Sequence, residues 1–296
     1  MFKTLNQDLY KPDKKNYLES LNFAKKLNST DSSKLIFHCF WRVPRDFERK
    51  QVAVIKSIIT SHKSILDRIE INLWSNVDLT ENLYFKEISN FVNFKIWNLE
   101  DEKKGTVLED CYFLQSKENI LDDLCYLEGD LFRLLILNKY GGFYIDMDVL
   151  VLRDMTPLNT FEFLYQWGTS GHNQWEPNMQ MNGAVMRLEK NSEASTEYLN
   201  ILKNTPPSKN SFTWGTNMYS KLQSDIWVLP GVWFNSEWGF EDTKCEPFKK
   251  VENYSLFDGA FTWHWHNKWD ATIEQGSKFE ILESLINEEF IKIMNK

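Results

Sequence analysis

The chain has 296 residues, 34 Lys and Arg against 42 Asp and Glu, a net charge of −8, and 42% hydrophobic residues. That length suits about two domains, or one large α/β domain with an appended part, and the composition excludes wholesale disorder. The acidic balance excludes a nucleic-acid binder working through a basic face, but it leaves phosphate-bearing small molecules open, because a bound cation can neutralise them locally.

Residues 1–33 are polar and rich in Lys, Asn and Ser, and read as an N-terminal extension that packs weakly. They lack the apolar run of a signal peptide, and no stretch approaches the roughly 18 apolar residues of a membrane span, so a cytoplasmic protein without a transmembrane segment is expected. LIFHCFW (Leu35 to Trp41) reads as a buried strand, and Val52, Ile55, Ile58 and Ile59 predict a helix over about 49–61. IEINLWS (Ile69 to Ser75) is a second strand, a short helix follows near 84–89, and FKIWNL (Phe94 to Leu99) is a third strand. Strand–helix–strand–helix–strand opens a parallel α/β sheet. Leucines at three- and four-residue steps predict a helix over about 121–139, which Gly141–Gly142 stops. FYIDMDVLVL (Phe143 to Leu152) then reads as one strand, and the remainder is Trp-, Asn- and Gly-rich with short elements. Cys39, Cys111, Cys125 and Cys245 form no C-x-x-C pair, a pattern of reduced, buried thiols rather than a disulfide framework or zinc site.

The chemistry concentrates in Asp130-Leu-Phe-Arg133 and YGGFYIDMD (Tyr140 to Asp148). In a strand, Tyr144, Asp146 and Asp148 would share one face. Two carboxylates side by side repel unless a cation sits between them, and the carboxyl end of a buried strand is where α/β sheets place ligands. Hard oxygen donors suit Mg²⁺ or Mn²⁺, which suits a diphosphate. A bare D-x-D is weak evidence; after a Gly-Gly helix stop and inside an apolar run it is much stronger.

Asp130-x-x-Arg133 followed by Y-GG-x-Y-x-D-x-D resembles the signature of glycosyltransferases with the sugar-binding-region DXD motif. These include glycosyltransferase family 32 and, more distantly, the clostridial glucosylating toxins. LIFHCFW resembles the opening strand of that family, MQMNGAVMRLEKNS (Met179 to Ser192) resembles a later segment, and HWHNKW (His264 to Trp269) resembles the "HWAGSW" ending. FTWGTNMYSK (Phe212 to Lys221) occupies the place of its "TGP" segment but lacks the proline. The resemblance implies an α/β GT-A fold, Rossmann-like, with helices on both faces of a mixed sheet and an irregular acceptor part. Residues 34–155 would be the nucleotide-sugar half and 156–296 the acceptor half. It also implies Mn²⁺ (or Mg²⁺), a nucleotide-sugar donor with UDP favoured over GDP, a glycan or lipid-linked glycan acceptor, and retention of anomeric configuration. By the same resemblance Asp148 would bind the metal, Asp146 the ribose or the metal, and Tyr144 the ribose, while Asp130 and Arg133 would hold the donor sugar. His264, with His266 beside it, would complete the metal site. Lys268 could supply charge where the family has small residues, next to Trp269. Asn182 and Gly183 would lie in the sugar site and Trp41 near the nucleobase. Trp167, Trp175, Trp214, Trp233 and Trp238 offer further faces for sugars, most of them expected in the core.

Two other readings compete. A haloacid-dehalogenase-type phosphatase also has D-x-D after an apolar strand, but that motif wants Thr or Val where Leu150 stands and leaves Asp130 and Arg133 unexplained. A non-catalytic carbohydrate-binding protein fits the aromatic content but has no need to hold two carboxylates together.

Overall fold

Leu35–Trp41 is apolar at nearly every position, the pattern of a parallel strand covered on both faces, and the architecture is built around it. The computed structural model describes residues 2–11, 14–42, 45–122, 126–167, 180–208, 211, 213–235, 246–251 and 258–296. Its strands are β1 (Phe2–Lys3), β2 (Leu35–Trp41), β3 (Ile69–Ser75), β4 (Asn93–Ile96), β5 (Gly142–Ile145), β6 (Val149–Val151), β7 (Phe163–Gln166), β8 (Met181–Leu188), β9 (Ile226–Leu229) and β10 (Thr262–His264). Its α-helices are α1 (Lys14–Lys26), α2 (Arg49–Ser61), α3 (Leu83–Ile88), α4 (Leu99–Glu102), α5 (Tyr126–Tyr140), α6 (Glu193–Lys203), α7 (Trp214–Tyr219) and α8 (Lys278–Met294).

Eight strands form one mixed sheet in the order β1-β9-β7-β8-β5-β2-β3-β4. β8 runs antiparallel to both neighbours and the other pairs are parallel. Alternation along β2 divides the interior: Phe37, Cys39 and Trp41 join the core that holds Val52, Ile55 and Ile58 of α2 and Phe279 and Leu282 of α8. Phe40 joins the opposite core, with Leu131 and Phe132 of α5, Tyr198 of α6 and Met218 of α7. The sheet is thus covered on both faces, and it takes strands from both sides of residue 155.

Helix α2 begins where the Gln51 side chain accepts the Glu48 N–H at 2.7 Å, satisfying a donor at the helix start. Helix α5 is buried from Leu127 to Asn138, so it forms the floor of the sheet rather than an outer helix. Gly141 stops it at φ +72°, its N–H still reaching the Leu137 carbonyl at 2.9 Å. Gly142 follows at φ +99°, where a Cβ would lie 2.5 Å from the Ile36 carbonyl oxygen, so a side chain there would drive β5 off β2.

Three expectations are corrected. Residues 1–33 do not pack weakly: β1 pairs with β9, Tyr17, Leu21 and Ala24 are buried, and the Tyr10 hydroxyl donates to the Val228 carbonyl at 2.5 Å. The Trp233 Nε1–H also donates to the Ser20 hydroxyl at 3.0 Å. Polar composition hid an amphipathic helix with one buried stripe. The strand expected over 94–99 ends at Ile96, because the Asn98 side chain accepts the Glu100 N–H at 3.0 Å and caps α4. FYIDMDVLVL is two strands, β5 and β6, separated by a turn at Asp146–Asp148 in which the Val149 N–H donates to the Asp146 carbonyl at 3.1 Å. Cys39 and Cys111 are free and buried as expected; Cys125 and Cys245 lie outside the described residues. Among the described residues no helix is long and apolar enough to cross a membrane.

Buried His38 makes stability depend on pH. Its Nε2–H donates to the Gly141 carbonyl at 3.1 Å and its Nδ1 accepts the Trp74 Nε1–H at 3.2 Å, an arrangement that only a neutral ring can make. Burial lowers its pKa to about 4. The unfolded chain, with histidine near 6.5, therefore binds more protons than the fold between pH 6.5 and 4, so the stabilisation is complete above 6.5 and is lost as pH falls through that window. His62 is lowered for the same reason, desolvation, with its Nε2 accepting the Met155 N–H at 3.0 Å. His38 is expected to contribute a loss of roughly 2 kcal/mol between pH 7 and 5, read as the difference between the pH dependences of wild type and His38→Gln. Urea unfolding of both proteins at the two pH values measures it, and parallel pH dependences would refute it.

Candidate active site

The sheet brings both carboxylates of the D-x-D to one turn at the carboxyl end of β5. The Asp146 N–H donates to the Ala184 carbonyl at 2.8 Å, tying the turn to β8. On the far side, β6 pairs antiparallel with β10 in a register that sets His264 opposite Val149. Chain 119 residues away is thereby folded onto the turn: the Trp265 N–H donates to the Asp148 carbonyl at 3.0 Å, and the Asn267 N–H to its Oδ2 at 2.7 Å. His266 and Asn267 make that approach at φ +54° and +53°, left-handed values that asparagine tolerates and histidine adopts less readily. The D-x-D carboxylates therefore come together through a turn, not through the strand alternation expected from the sequence.

Helix α5 supplies the other half. Asp130 Oδ2 accepts the Gly215 N–H of α7 at 2.8 Å, and its Oδ1 accepts the Tyr219 hydroxyl at 3.4 Å. A Cβ on Gly215 would lie 2.3 Å from Asp130 Oδ1, so only glycine leaves room for that carboxylate. Arg133 lies over the Tyr144 ring at 4.7 Å, and its guanidinium reaches both Asp146 oxygens at 3.2 and 3.3 Å, with Asp130 at 3.7 Å. The Tyr144 hydroxyl donates to Asp146 Oδ1 at 2.5 Å. Gly183 makes room as well: a Cβ there would lie 2.4 Å from the Tyr219 hydroxyl oxygen and 3.0 Å from the Arg133 guanidinium. The Asn182–Gly183 pair is thus strand, with Asn182 opposite Tyr165, and not the turn that Asn-Gly often marks.

Electrostatics separate the two acids. Burial pushes Asp146 up to about 6, the Asp148 charge adds to that, and Arg133 opposes both. Burial would raise Asp148 too, but the facing His264 imidazole and the Asn267 N–H outweigh it and hold that carboxyl below the usual range. Asp130 is raised, mainly by burial.

These residues line a cleft of about 560 Å³. Every site residue expected from the sequence except Lys268 faces it: Trp41, Asp130, Arg133, Tyr144, Asp146, Asp148, Asn182, Gly183, His264, His266 and Trp269. Lys268 turns its carbonyl to the Lys50 ammonium at 2.9 Å and does not line the cleft. Trp41 and Trp269 meet edge to face at 4.8 Å between ring centres. Trp167 also lines the cleft, whereas Trp214 and Trp233 are core; Trp175 and Trp238 lie outside the described residues. Sequence reasoning missed Arg42, Arg45, Tyr126, Tyr219 and Asn217. The two arginines carried a signal, since they come shortly after a parallel strand at its carboxyl end, and Asn217 and Tyr219 lie in the FTWGTNMYSK segment that resembles the family.

The donors fit a hard divalent cation. Two carboxylates flank one turn, and His264 Nε2, buried and 3.1 Å from Asp148 Oδ2, is not aligned with any hydrogen-bond partner. Among the described residues no three acidic, His or Cys side chains form a ready-made cage, because Asp146 faces Arg133 and Tyr144 while Asp148 faces His264. His266 stacks on His264 at 3.9 Å, but its Nε2 is engaged with Asn235 Oδ1 at 2.9 Å, which leaves His264 the better placed of the two.

Residues 49–165 match the family described as glycosyltransferase sugar-binding region containing DXD motif. The chain carries a glycosyltransferase family domain. No curated protein matches it. Among solved structures it is similar to the WbbM bifunctional glycosyltransferase, at TM-score 0.51 and 10% identity, over 91% of this chain and 52% of that one. It is also similar to the glycosyltransferase GlyE of Streptococcus pneumoniae TIGR4, at TM-score 0.47 and 14% identity, over 89% of this chain and 63% of that one. A third is the galactosyltransferase LgtC, crystallised with donor and acceptor sugar analogues, at TM-score 0.45 and 11% identity, over 85% of this chain and 96% of that one. The chain thus spans about half of WbbM and under two thirds of GlyE. At such identities the likeness bears on the fold alone, and that fold is GT-A. The family match also removes the phosphatase alternative, because the D-x-D it covers belongs to a sugar-transfer region.

Proposed function

We propose that this glycosyltransferase moves a hexose from a nucleotide-diphosphate sugar, UDP-linked in preference to GDP-linked, to a hydroxyl of a glycan or lipid-linked glycan, with retention of anomeric configuration. The observation that carries the reading is the turn at Asp146–Asp148, which opens both carboxylates to the cleft with His264 Nε2 beside them. Those three side chains would hold Mn²⁺ or Mg²⁺, which when bound offsets the charge that builds on the departing diphosphate. Arg133 and Asp130 line the same cleft; in this reading Arg133 would add a fixed cation beside the metal and Asp130 would meet the sugar hydroxyls. Trp41 and Tyr144 would flank the nucleoside, and Asn182 and Gly183 would border the sugar. In this reading residues 34–155 bind the donor, and 156–296 supply the acceptor side together with the His264–Trp269 segment. Retention is best served by a front-face route, in which the acceptor hydroxyl attacks on the leaving-group side, because among the described residues the carboxylates lining the cleft are Asp130, Asp146 and Asp148, each of which has another role in this reading.

The test is a thermal-shift panel of UDP, GDP, CMP and ADP and their sugars, with and without Mn²⁺. One nucleotide should stabilise the protein only with metal, by about 2.7 kcal/mol at a hundred times its dissociation constant. No shift from any nucleotide would move the carbohydrate-binding alternative to the front. An inverted anomeric product would overturn the front-face route.

A further inference from the structure

We infer that Arg45, in the loop after β2, is the side chain that grips the diphosphate of the donor, in place of the C-terminal Lys268; the inference rests on the nucleotide-sugar reading above. A diphosphate needs cations besides the metal, and most of those near the cleft are already committed. Arg42 is nearly enclosed, with its Nε 2.9 Å from Glu128 Oε2 and an Nη donating to the Asp122 carbonyl. Arg133 is engaged by Asp146 and Asp130. The Lys50 ammonium donates to the carbonyls of Lys268, Trp269 and Ala271. Lys268 does not line the cleft at all.

Arg45 differs from these in two ways. It lines the same cleft as the D-x-D turn, and no carboxylate pairs with its guanidinium among the described residues. Its backbone is also fixed: the Arg45 carbonyl accepts the Trp41 Nε1–H at 3.1 Å, and Trp41 packs edge to face on Trp269. The Arg45 main chain is therefore tied to Trp41, and through it to Trp269, while its charge remains available. The planar fork of a guanidinium matches two phosphate oxygens at once, which an ammonium does not. The position agrees, because ligands of open α/β sheets sit at the carboxyl ends of parallel strands, where Arg45 lies relative to β2.

The experiment is titration of Mn²⁺-loaded wild type, Arg45→Gln, Arg45→Lys and Lys268→Gln with UDP and with uridine, and in parallel with GDP and guanosine. For the nucleotide that wild type binds, Arg45→Gln should weaken the diphosphate by about tenfold or more and leave the nucleoside unchanged, with Arg45→Lys in between. Lys268→Gln should bind as wild type does. Equal loss of diphosphate and nucleoside by Arg45→Gln would mean that the loop merely shapes the base site, and overturns the inference. So does an unchanged Arg45→Gln, or a loss confined to Lys268→Gln; in each case the nucleotide-sugar reading survives, because wild type still binds. If wild type binds neither diphosphate, both readings fall together. Thermal melting of the variants without ligand separates lost binding from lost fold.

Discussion

Asp148→Asn is expected to lower sugar transfer by about 10³-fold while leaving the fold nearly intact, because it removes charge and keeps shape. The asparagine carbonyl oxygen can still accept the Asn267 N–H that now reaches Asp148 Oδ2 at 2.7 Å. The main-chain bond from the Trp265 N–H to the residue 148 carbonyl does not involve the side chain. The segment carrying His264 therefore stays on the turn, and a stability change within about 1 kcal/mol is expected. What disappears is the carboxylate that is best held in its charged form, the one lowered by His264 and the Asn267 N–H. Asp146 cannot substitute, since it is raised to about 6 and engaged by Arg133 and Tyr144. Isothermal titration with Mn²⁺ and the bound nucleotide, beside a urea melt, measures both halves. Undiminished metal-dependent binding by a folded Asp148→Asn would show that the cation is held elsewhere.

The parts of this site that were legible in the sequence are those whose partners are near in the chain. Asp130 and Arg133 sit one helical turn apart, and Gly141–Gly142 ends that helix where positive φ is required, so the unit 130–148 declared itself. The turn inside FYIDMDVLVL did not, because an apolar run reads the same whether it is one strand or two strands on either side of a bend. His264 came only from family resemblance; its place beside Asp148 depends on the pairing of β6 with β10, which no local pattern encodes. Gly215 and Tyr219 fell inside the FTWGTNMYSK resemblance, but their hold on Asp130 left no trace, because a glycine that makes room for a distant carboxylate looks like any other glycine. The N-terminal residues misled for the opposite reason: their polar surface was visible, and the strip that covers Trp233 was not.

Arg133 joins these parts, and Arg133→Leu should show what that junction is worth. The guanidinium is nearly enclosed and is the cation facing both Asp130 and Asp146. Removing it leaves two buried carboxyls without their counter-charge, for which a loss of about 3–5 kcal/mol is expected at pH 8. The size of that loss should depend on pH. With Arg133 present, Asp146 already rises to about 6 and Asp130 is raised as well, both mainly through burial. Without it their folded-state pKa values climb further above the ordinary carboxylate range, so the fold binds more protons than the unfolded chain and the variant gains stability as pH falls. His38 contributes in the opposite direction between pH 7 and 5 in both proteins, and subtracting the two curves removes it and isolates the change in the carboxyl pair. The deficit of Arg133→Leu should therefore shrink between pH 8 and 5.5 in urea unfolding, while transfer remains abolished at both. A deficit of constant size would mean that the lost stability is lost packing against Tyr144, whose ring lies 4.7 Å from the guanidinium, and not lost charge.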